Sequence, residues 1–256
     1  MKRPGKEKGK GKYFYAVVYA MGDHAFGDVG IDGNKVYALS DGQVAAVISD
    51  MANGGRIRPE RRHIAAHQEV LKRLMSEGLT PLPISFGVIA EGLKEIKKIL
   101  AVNRKAFIEQ LRRVDGKVEM GLRVTWDVPN IFEYFVNTHA ELRAARDRFL
   151  GAYREPSQEE KIEVGRMFDR ILQEDREDHT SRVEEVILPS CFEVKRNAPK
   201  NEREVMNLAC LVGRQEYQTA FEAAIFEAAR LFDNNFAFDF NGPWAPHNFA
   251  DVELIS

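Results

Sequence analysis

The chain contains no apolar run near the roughly 20 residues needed to span a bilayer, and no hydrophobic core near its start of the kind a secretory signal carries. A soluble, cytoplasmic protein is therefore expected, with no membrane partner. Cysteine is scarce. Cys191 and Cys210 both lie in apolar, strand-like runs, which excludes a disulfide framework and points to a reduced pair. Neither sign of charge dominates, since 37 Lys and Arg face 39 Asp and Glu for a net charge of −2. The balance is uneven, however. Met1–Lys12 holds six basic residues against Glu7, a net of +5, which leaves −7 for the rest. An acidic body argues against a nucleic-acid footprint, because such binding rests on neutralising phosphates. Residues 1–12 are expected to be a disordered basic tail.

What is present is ordinary globular composition. The 256 residues are 44% hydrophobic and 30% charged, enough for one large or two modest domains. The stretch Leu79–Leu100 is the easiest to read. Pro81 and Pro83 fix φ and disfavour helix before them, so Ile84–Ile89 is predicted as a strand that ends by Gly92. Leu93, Ile96 and Leu100 then recur at three- and four-residue steps. They predict an amphipathic helix that continues through Phe107 and Leu111 to about Val114.

Ahead of this stretch, Tyr13–Ala20 is aromatic and β-branched and predicts a central first strand. Gly22–Gly33 is glycine-rich, but its spacing matches neither G-x-G-x-x-G nor a P-loop, so a mobile connector is expected. Val36–Leu39 and Val44–Met51 flank an Asp41-Gly42 turn and predict a hairpin. Pro59 opens a helix that should reach Glu77 and stop at Gly78. On it, Ile64, His67, Leu71 and Leu74 share a face. His63 and His67 have the spacing of a two-histidine metal site, yet no third ligand is supplied nearby. His67 is therefore expected to be a partly buried histidine hydrogen-bonded within the core, with no metal and no cofactor.

A boundary is placed at residue 115. Residues 13–115 form an N-terminal α+β domain, a small sheet with helices on one face, and residues 116–256 a second domain. In Lys117–Asp127, Val118, Met120, Leu122, Val124 and Trp126 alternate strictly with polar or small residues, the mark of a half-buried strand. Asn130–Leu150 and Ser157–Val186 read as two charged helices, the second opened by a Ser157/Glu160 capping box. They are expected to pair as a hairpin that projects from the sheet. Phe192–Lys195 is predicted as an edge strand and Val205–Val212 as a central one. The stripe from Tyr217 to Phe232 predicts a helix, and Phe236, Phe238 and Phe240 one face of a last strand. This order is the ferredoxin-like βαββαβ arrangement with its first helix expanded into a helical hairpin. The two prolines and the glycine of Asn241–Phe249 are expected to prevent regular structure there.

Three segments carry a family resemblance. Leu82-Pro83-Ile84-Ser85-Phe86-Gly87, preceded by the helix with His67, is similar to the LP-x-x-FG motif of the gas vesicle protein GvpF/GvpL family. Val118, Glu119, Gly121, Leu122, Arg123, Val124 and Trp126 match its V-E-x-G-(V/L)-(K/R)-V-x-W segment. Gly242, Pro243, Trp244, Pro246 and Phe249 resemble its C-terminal G-P-W-P-P-Y-x-F signature, with departures at Ala245 and His247. The resemblance implies a non-enzymatic accessory or minor structural protein of gas vesicle assembly, located at the gas vesicle or in the cytoplasm. Its implied partners are the hydrophobic shell subunit GvpA and other gas vesicle accessory proteins.

A binder of a strongly apolar subunit needs an exposed apolar patch or a sheet edge. The candidate partner-binding residues are Phe192 and Val194 on the predicted edge strand, and Trp244, Pro246 and Phe249 in the last segment; packing against their own sheet is the competing reading. Two other function classes are weighed. An acylphosphatase-like enzyme or small-ligand module on the ferredoxin-like domain needs an anion cradle and an arginine in the loop Trp126–Asn130, and the loop offers neither. An RNA reader of the same strand order stacks bases on aromatics of its central strands, and Val205–Val212 has none.

Overall fold

The computed structural model describes residues 11–51, 56–151, 157–251 and 254–255. Most of the expected basic tail, residues 1–10, lies outside them. The chain divides into two compact units, residues 1–119 with 243–256, and residues 120–242. The segment from Pro243 onward, assigned from the sequence to the second domain, thus belongs to the first unit.

In the first unit, β1 (Gly11–Tyr19) is central because every residue from Tyr13 to Val18 is buried. It begins two residues earlier than expected. Lys12, read as tail, is 8% exposed, with its ammonium 2.5 Å from Asp50 and 3.1 Å from the Tyr37 hydroxyl. The glycine-rich loop contributes a short edge strand, β2 (Ala25–Gly27), and a 3-10 turn that bury Phe26 and Ile31, so it is built into the sheet rather than a connector. β3 (Val36–Asp41) and β4 (Val44–Met51) form the expected hairpin, with Gly42 at φ +75° in the turn.

α1 (Arg61–Ser76) stops as predicted. Gly78 takes φ +85°, and the amides of Gly78 and Leu79 bond the carbonyls of Met75 and Leu74, closing the helix in a Schellman turn. Ile64 is 43% exposed and does not join the buried face of His67, Leu71 and Leu74. The expected strand Ile84–Ile89 is split into β5 (Leu82–Pro83) and β6 (Ile89–Ala90), both antiparallel to β1. Between them the chain turns at Phe86-Gly87, where Gly87 needs φ +92°. The strand order is β2-β3-β4-β1-β5, with β6 also on β1. α1 packs on the face of Tyr13, Tyr15, Val18, Ala45 and Val47. α2 (Leu93–Val114) lies against β4 and β1, where Val44, Ala46 and Ile48 are buried, so the helices flank the sheet instead of sharing one face. Strands apolar on both sides carry no alternation that would have told the faces apart.

The second unit is built on β7 (Lys117–Trp126), whose alternating residues Met120, Leu122, Val124 and Trp126 are all at most 2% exposed. The order β10-β7-β9-β8, with β8 (Glu193–Asn197), β9 (Glu204–Gly213) and β10 (Phe236–Trp244), is that of the ferredoxin-like sheet. Trp126 N–H bonds Arg203 C=O and Asp127 N–H bonds Asn235 C=O, which joins the end of β7 to the starts of both neighbours. β10 runs on through Asn241-Gly242-Pro243-Trp244, where irregular chain was expected. An outermost strand tolerates a proline, because one side of it needs no ladder donor.

The predicted helix Asn130–Leu150 is two, α3 (Ile131–Thr138) and α4 (Ala140–Gly151), broken at His139, which is extended. Asn130 caps α3 by accepting from the amides of Phe132 and Glu133. α5 (Gln158–Ile187) carries the predicted capping box. The hairpin does not simply project, since Phe135, Leu142, Phe168, Ile171, Leu172, Val183 and Ile187 are buried in the core over the sheet. The last helix is a π-turn at Tyr217–Phe221 followed by α6 (Glu222–Ala229).

Candidate partner-docking surfaces

The first surface begins where α5 ends. A 3-10 turn at Leu188–Ser190 leads through Cys191 to Phe192, whose N–H donates to Leu211 C=O at 2.8 Å and starts the pairing of β8 with β9. In that register Val194 lies opposite Cys210 and Arg196 opposite Leu208, and Arg196 faces α5. Its guanidinium bonds both Glu177 (2.8 Å) and Glu184 (2.5 Å), which raises its pKa and fastens β8 to the helix. Phe192 shares the parity of Val194, yet Val194 is half-buried and Phe192 is 67% exposed. Leu188 is 49% exposed, four residues earlier in the chain. Phe226, on α6 of the same unit, is 63% exposed. Cys191 and Cys210 form no disulfide, and hydrogen bonding to Cys210, then to Ser190, lowers the pKa of the half-buried Cys191.

The second surface proposed from the sequence is placed differently. Trp244 is half-buried, with the Lys72 ammonium 5.3 Å from its ring centre. Ala245 joins the core beneath α1, Pro246 is buried, and Phe249 is fully buried. Pro246 and Phe249 are thus packing residues and present nothing to a partner. The physical reason is a partner distant in sequence: Glu119, 7% exposed, accepts from the Asn248 amide at 2.7 Å and the Asn248 side chain at 2.6 Å, pulling the segment inward. The sequence marks Glu119 as the polar side of an alternating strand and as part of the V-E-x-G segment, but not as the partner of Asn248.

His67 and His63 are held within the first unit by hydrogen bonds. His67, 3% exposed, has its Nδ1 3.0 Å from the Tyr13 hydroxyl, which itself accepts the Gly87 N–H at 2.9 Å. The Tyr13 proton therefore points to an unprotonated Nδ1, and burial lowers the His67 pKa to about 4. The Phe86 ring lies 5.9 Å from that of His67. His63 Nδ1 instead bonds Arg58 C=O at 3.0 Å. Among the described residues no group of three His, Cys, Asp or Glu could hold a metal. Near the loop after β7 there is an arginine that sequence reasoning did not place: Arg203 donates to the carbonyls of Val128 and Pro129 at 2.8 Å each. Those bonds engage two of its five N–H donors and tie the loop to the start of β9.

A family model described as gas vesicle synthesis protein GvpL/GvpF matches residues 11–251. The chain belongs to this GvpL/GvpF family. Gas vesicle protein F of Nostoc sp. PCC 7120 is 25% identical over 226 residues, covering 87% of this chain and 91% of the relative. Gas vesicle protein F of Streptomyces sp. CB03234 is 27% identical, covering 88% and 92%. Gas vesicle protein L1 of Halobacterium salinarum is 24% identical, covering 94% and 90%. The crystal structure of GvpF from Anabaena sp. PCC7120 superposes with a TM-score of 0.83 at 22% identity, over 95% of this chain and 99% of that one. GvpF from Microcystis aeruginosa gives 0.78 at 20%, over 94% and 99%. These two share the α+β fold. In this chain the segments that carry the resemblance fasten the fold: Phe86-Gly87 closes over Tyr13 and His67, and Glu119 holds the segment after Trp244. Gly121 lies so near β10 that a Cβ there would meet Asn241 Oδ1 at 2.9 Å. No helix among the described residues is long and apolar enough to cross a membrane.

Proposed function

We propose that this gas vesicle protein acts without catalysis, in the cytoplasm or at the vesicle, by docking the small hydrophobic shell subunit GvpA at the corner formed by Leu188, Phe192 and Val194. The observation that carries the reading is the 67% exposure of Phe192, directly ahead of the outermost strand of the second sheet. A phenylalanine two-thirds exposed ahead of a paired strand, with the exposed Leu188 four residues earlier, forgoes about 1–2 kcal/mol of burial that a partner would restore. The non-catalytic part of the reading is supported by the hydrogen bonds that hold His67 Nδ1, His63 Nδ1 and Arg203 within the fold.

The experiment is co-expression of the chain with the shell subunit, followed by capture. Phe192→Ser with Leu188→Ser is expected to lower capture at least tenfold with an unchanged thermal melt, whereas Trp244→Ala leaves capture intact. Unchanged capture by the folded double variant overturns the assignment to this corner. Trp244→Ala losing capture while its melt is unchanged moves the site to the other surface.

A further inference from the structure

Cys191 and Cys210 belong to different segments of the second unit, the turn that ends α5 and the interior of β9, and the fold brings their thiols together. The turn closes with the Cys191 N–H on Leu188 C=O at 3.0 Å, and the next amide, that of Phe192, bonds Leu211 C=O at 2.8 Å. These two bonds set the turn against β9 beside Cys210. Cys210 is fully buried in the core of the unit, and the half-buried Cys191 packs against the same core. The two thiols hydrogen-bond to each other, and the Ser190 hydroxyl lies 3.8 Å from Cys191 Sγ. Either cysteine alone would fill its place as a small apolar residue, but thiols already in contact are also what a disulfide requires.

The two positions are unequal in a way that assigns their roles. The nucleophile in disulfide exchange is the thiolate, and hydrogen bonding to Cys210 and Ser190 favours that form at Cys191, which is also the partly exposed member of the pair. Cys210, at 0% exposure, is closed to a reagent in solution and has the Cys191 sulfur beside it. An exposed attacking thiol with a buried thiol behind it is the order that exchange needs, since the second thiol releases what the first has captured.

We propose that Cys191 and Cys210 are a modification site that forms a reversible disulfide by exchange with a low-molecular-weight disulfide of the glutathione class, Cys191 meeting the reagent and Cys210 resolving it. The Cys191 thiolate attacks one sulfur of the reagent, whose S–S bond breaks, and a first small thiolate leaves. Cys210 then gives up its proton and attacks Cys191 Sγ, which breaks the mixed disulfide and expels the second small thiolate. The pair is oxidised by two electrons, one reagent disulfide is reduced to two small thiols, and the two cysteine protons end on them. The new bond ties the turn that carries Leu188 covalently to β9, directly ahead of Phe192. Its formation does not depend on what docks at that corner, so either assignment can fail without the other.

The test uses the full chain, reduced and then incubated with excess oxidised glutathione near neutral pH, and reads intact mass and peptide maps. The natural chain is expected to lose two hydrogen atoms and to yield a linked peptide that holds Cys191 and Cys210, with no lasting glutathione adduct. Cys210→Ala is expected to stop at a stable adduct on Cys191, and Cys191→Ala to stay unmodified while folded. A natural chain that keeps both thiols, or that retains glutathione on Cys191, overturns the proposal. So does an adduct on Cys210 of the folded Cys191→Ala chain. A second measurement needs no variant: in a glutathione redox buffer, half-oxidation of the folded chain is expected at a ratio about tenfold more reducing than for the chain unfolded in urea, because the fold has already closed the loop between the thiols. Equal ratios would mean that the contact in the fold contributes nothing to the bond, and would overturn the proposal.

Discussion

His67 makes the first unit sensitive to acid, and the size of the effect follows from its surroundings. The imidazole is buried, and its Nδ1 accepts from Tyr13, so the folded state resists a proton down to about pH 4, against an ordinary value of 6.5. Above pH 6.5 both folded and unfolded chains hold a neutral histidine, and the group contributes its full stability. As the pH falls below 6.5 the unfolded chain binds a proton that the folded chain refuses, so stability is lost until the pH passes the folded value. At pH 5 the loss is about 2 kcal/mol, and its limit at lower pH is about 3 kcal/mol, at roughly 1.36 kcal/mol per pH unit. Hydrogen exchange at Val17 and Ile48, buried in the sheet of the same unit, reads this out. Their protection should fall about 30-fold more between pH 7.5 and 5 in the natural chain than in His67→Gln, which cannot titrate. Burial also lowers the pKa of His179 and His247, so the comparison with the variant is what isolates His67. Identical pH dependence in the two chains would refute the reasoning.

Two further tests address packing. A Cβ at Gly30 would meet Asn34 C=O at 2.6 Å and the Tyr15 hydroxyl at 2.8 Å, so Gly30→Ala should destabilise by about 1–3 kcal/mol in urea unfolding. At Gly213 the obstacle is the movable Glu216 carboxylate, and Gly213→Ala should cost distinctly less. Phe135 is fully buried against Trp126 and Phe168, so Phe135→Ala should cost about 3–5 kcal/mol, measured by the urea midpoint followed by Trp126 fluorescence.

The sequence was most legible where one face is wet. The alternation in Met120–Trp126, the capping box of Ser157 and Glu160 and the stop at Gly78 each express a local rule that tertiary packing leaves alone. It was least legible where both sides of a segment are covered. Val44–Ile48 shows no period that would assign α1 and α2 to opposite faces. The break at His139 depends on its ring stacking on Phe135 at 5.1 Å, and its Nε2 lies 3.2 Å from Asp175, a residue far along the chain. Of the candidate docking residues, Phe192 stands exposed as its edge position suggested. Phe249 looked similar in sequence but is buried, because two hydrogen bonds from Asn248 to Glu119 draw it in. Long-range polar partners of this kind have no signature in local spacing.

Capture of the shell subunit by the natural chain, compared at 0.15 M salt and about 1 M salt, tests the central claim most directly. Contacts between exposed charges lose most of their range as the screening length falls from about 8 Å to 3 Å, whereas burial of Phe192 and Leu188 does not weaken. Docking through that corner predicts that capture at high salt equals or exceeds capture at low salt. Capture that disappears at high salt, or none at either salt in an assay where another assembly factor retains the subunit, would contradict it.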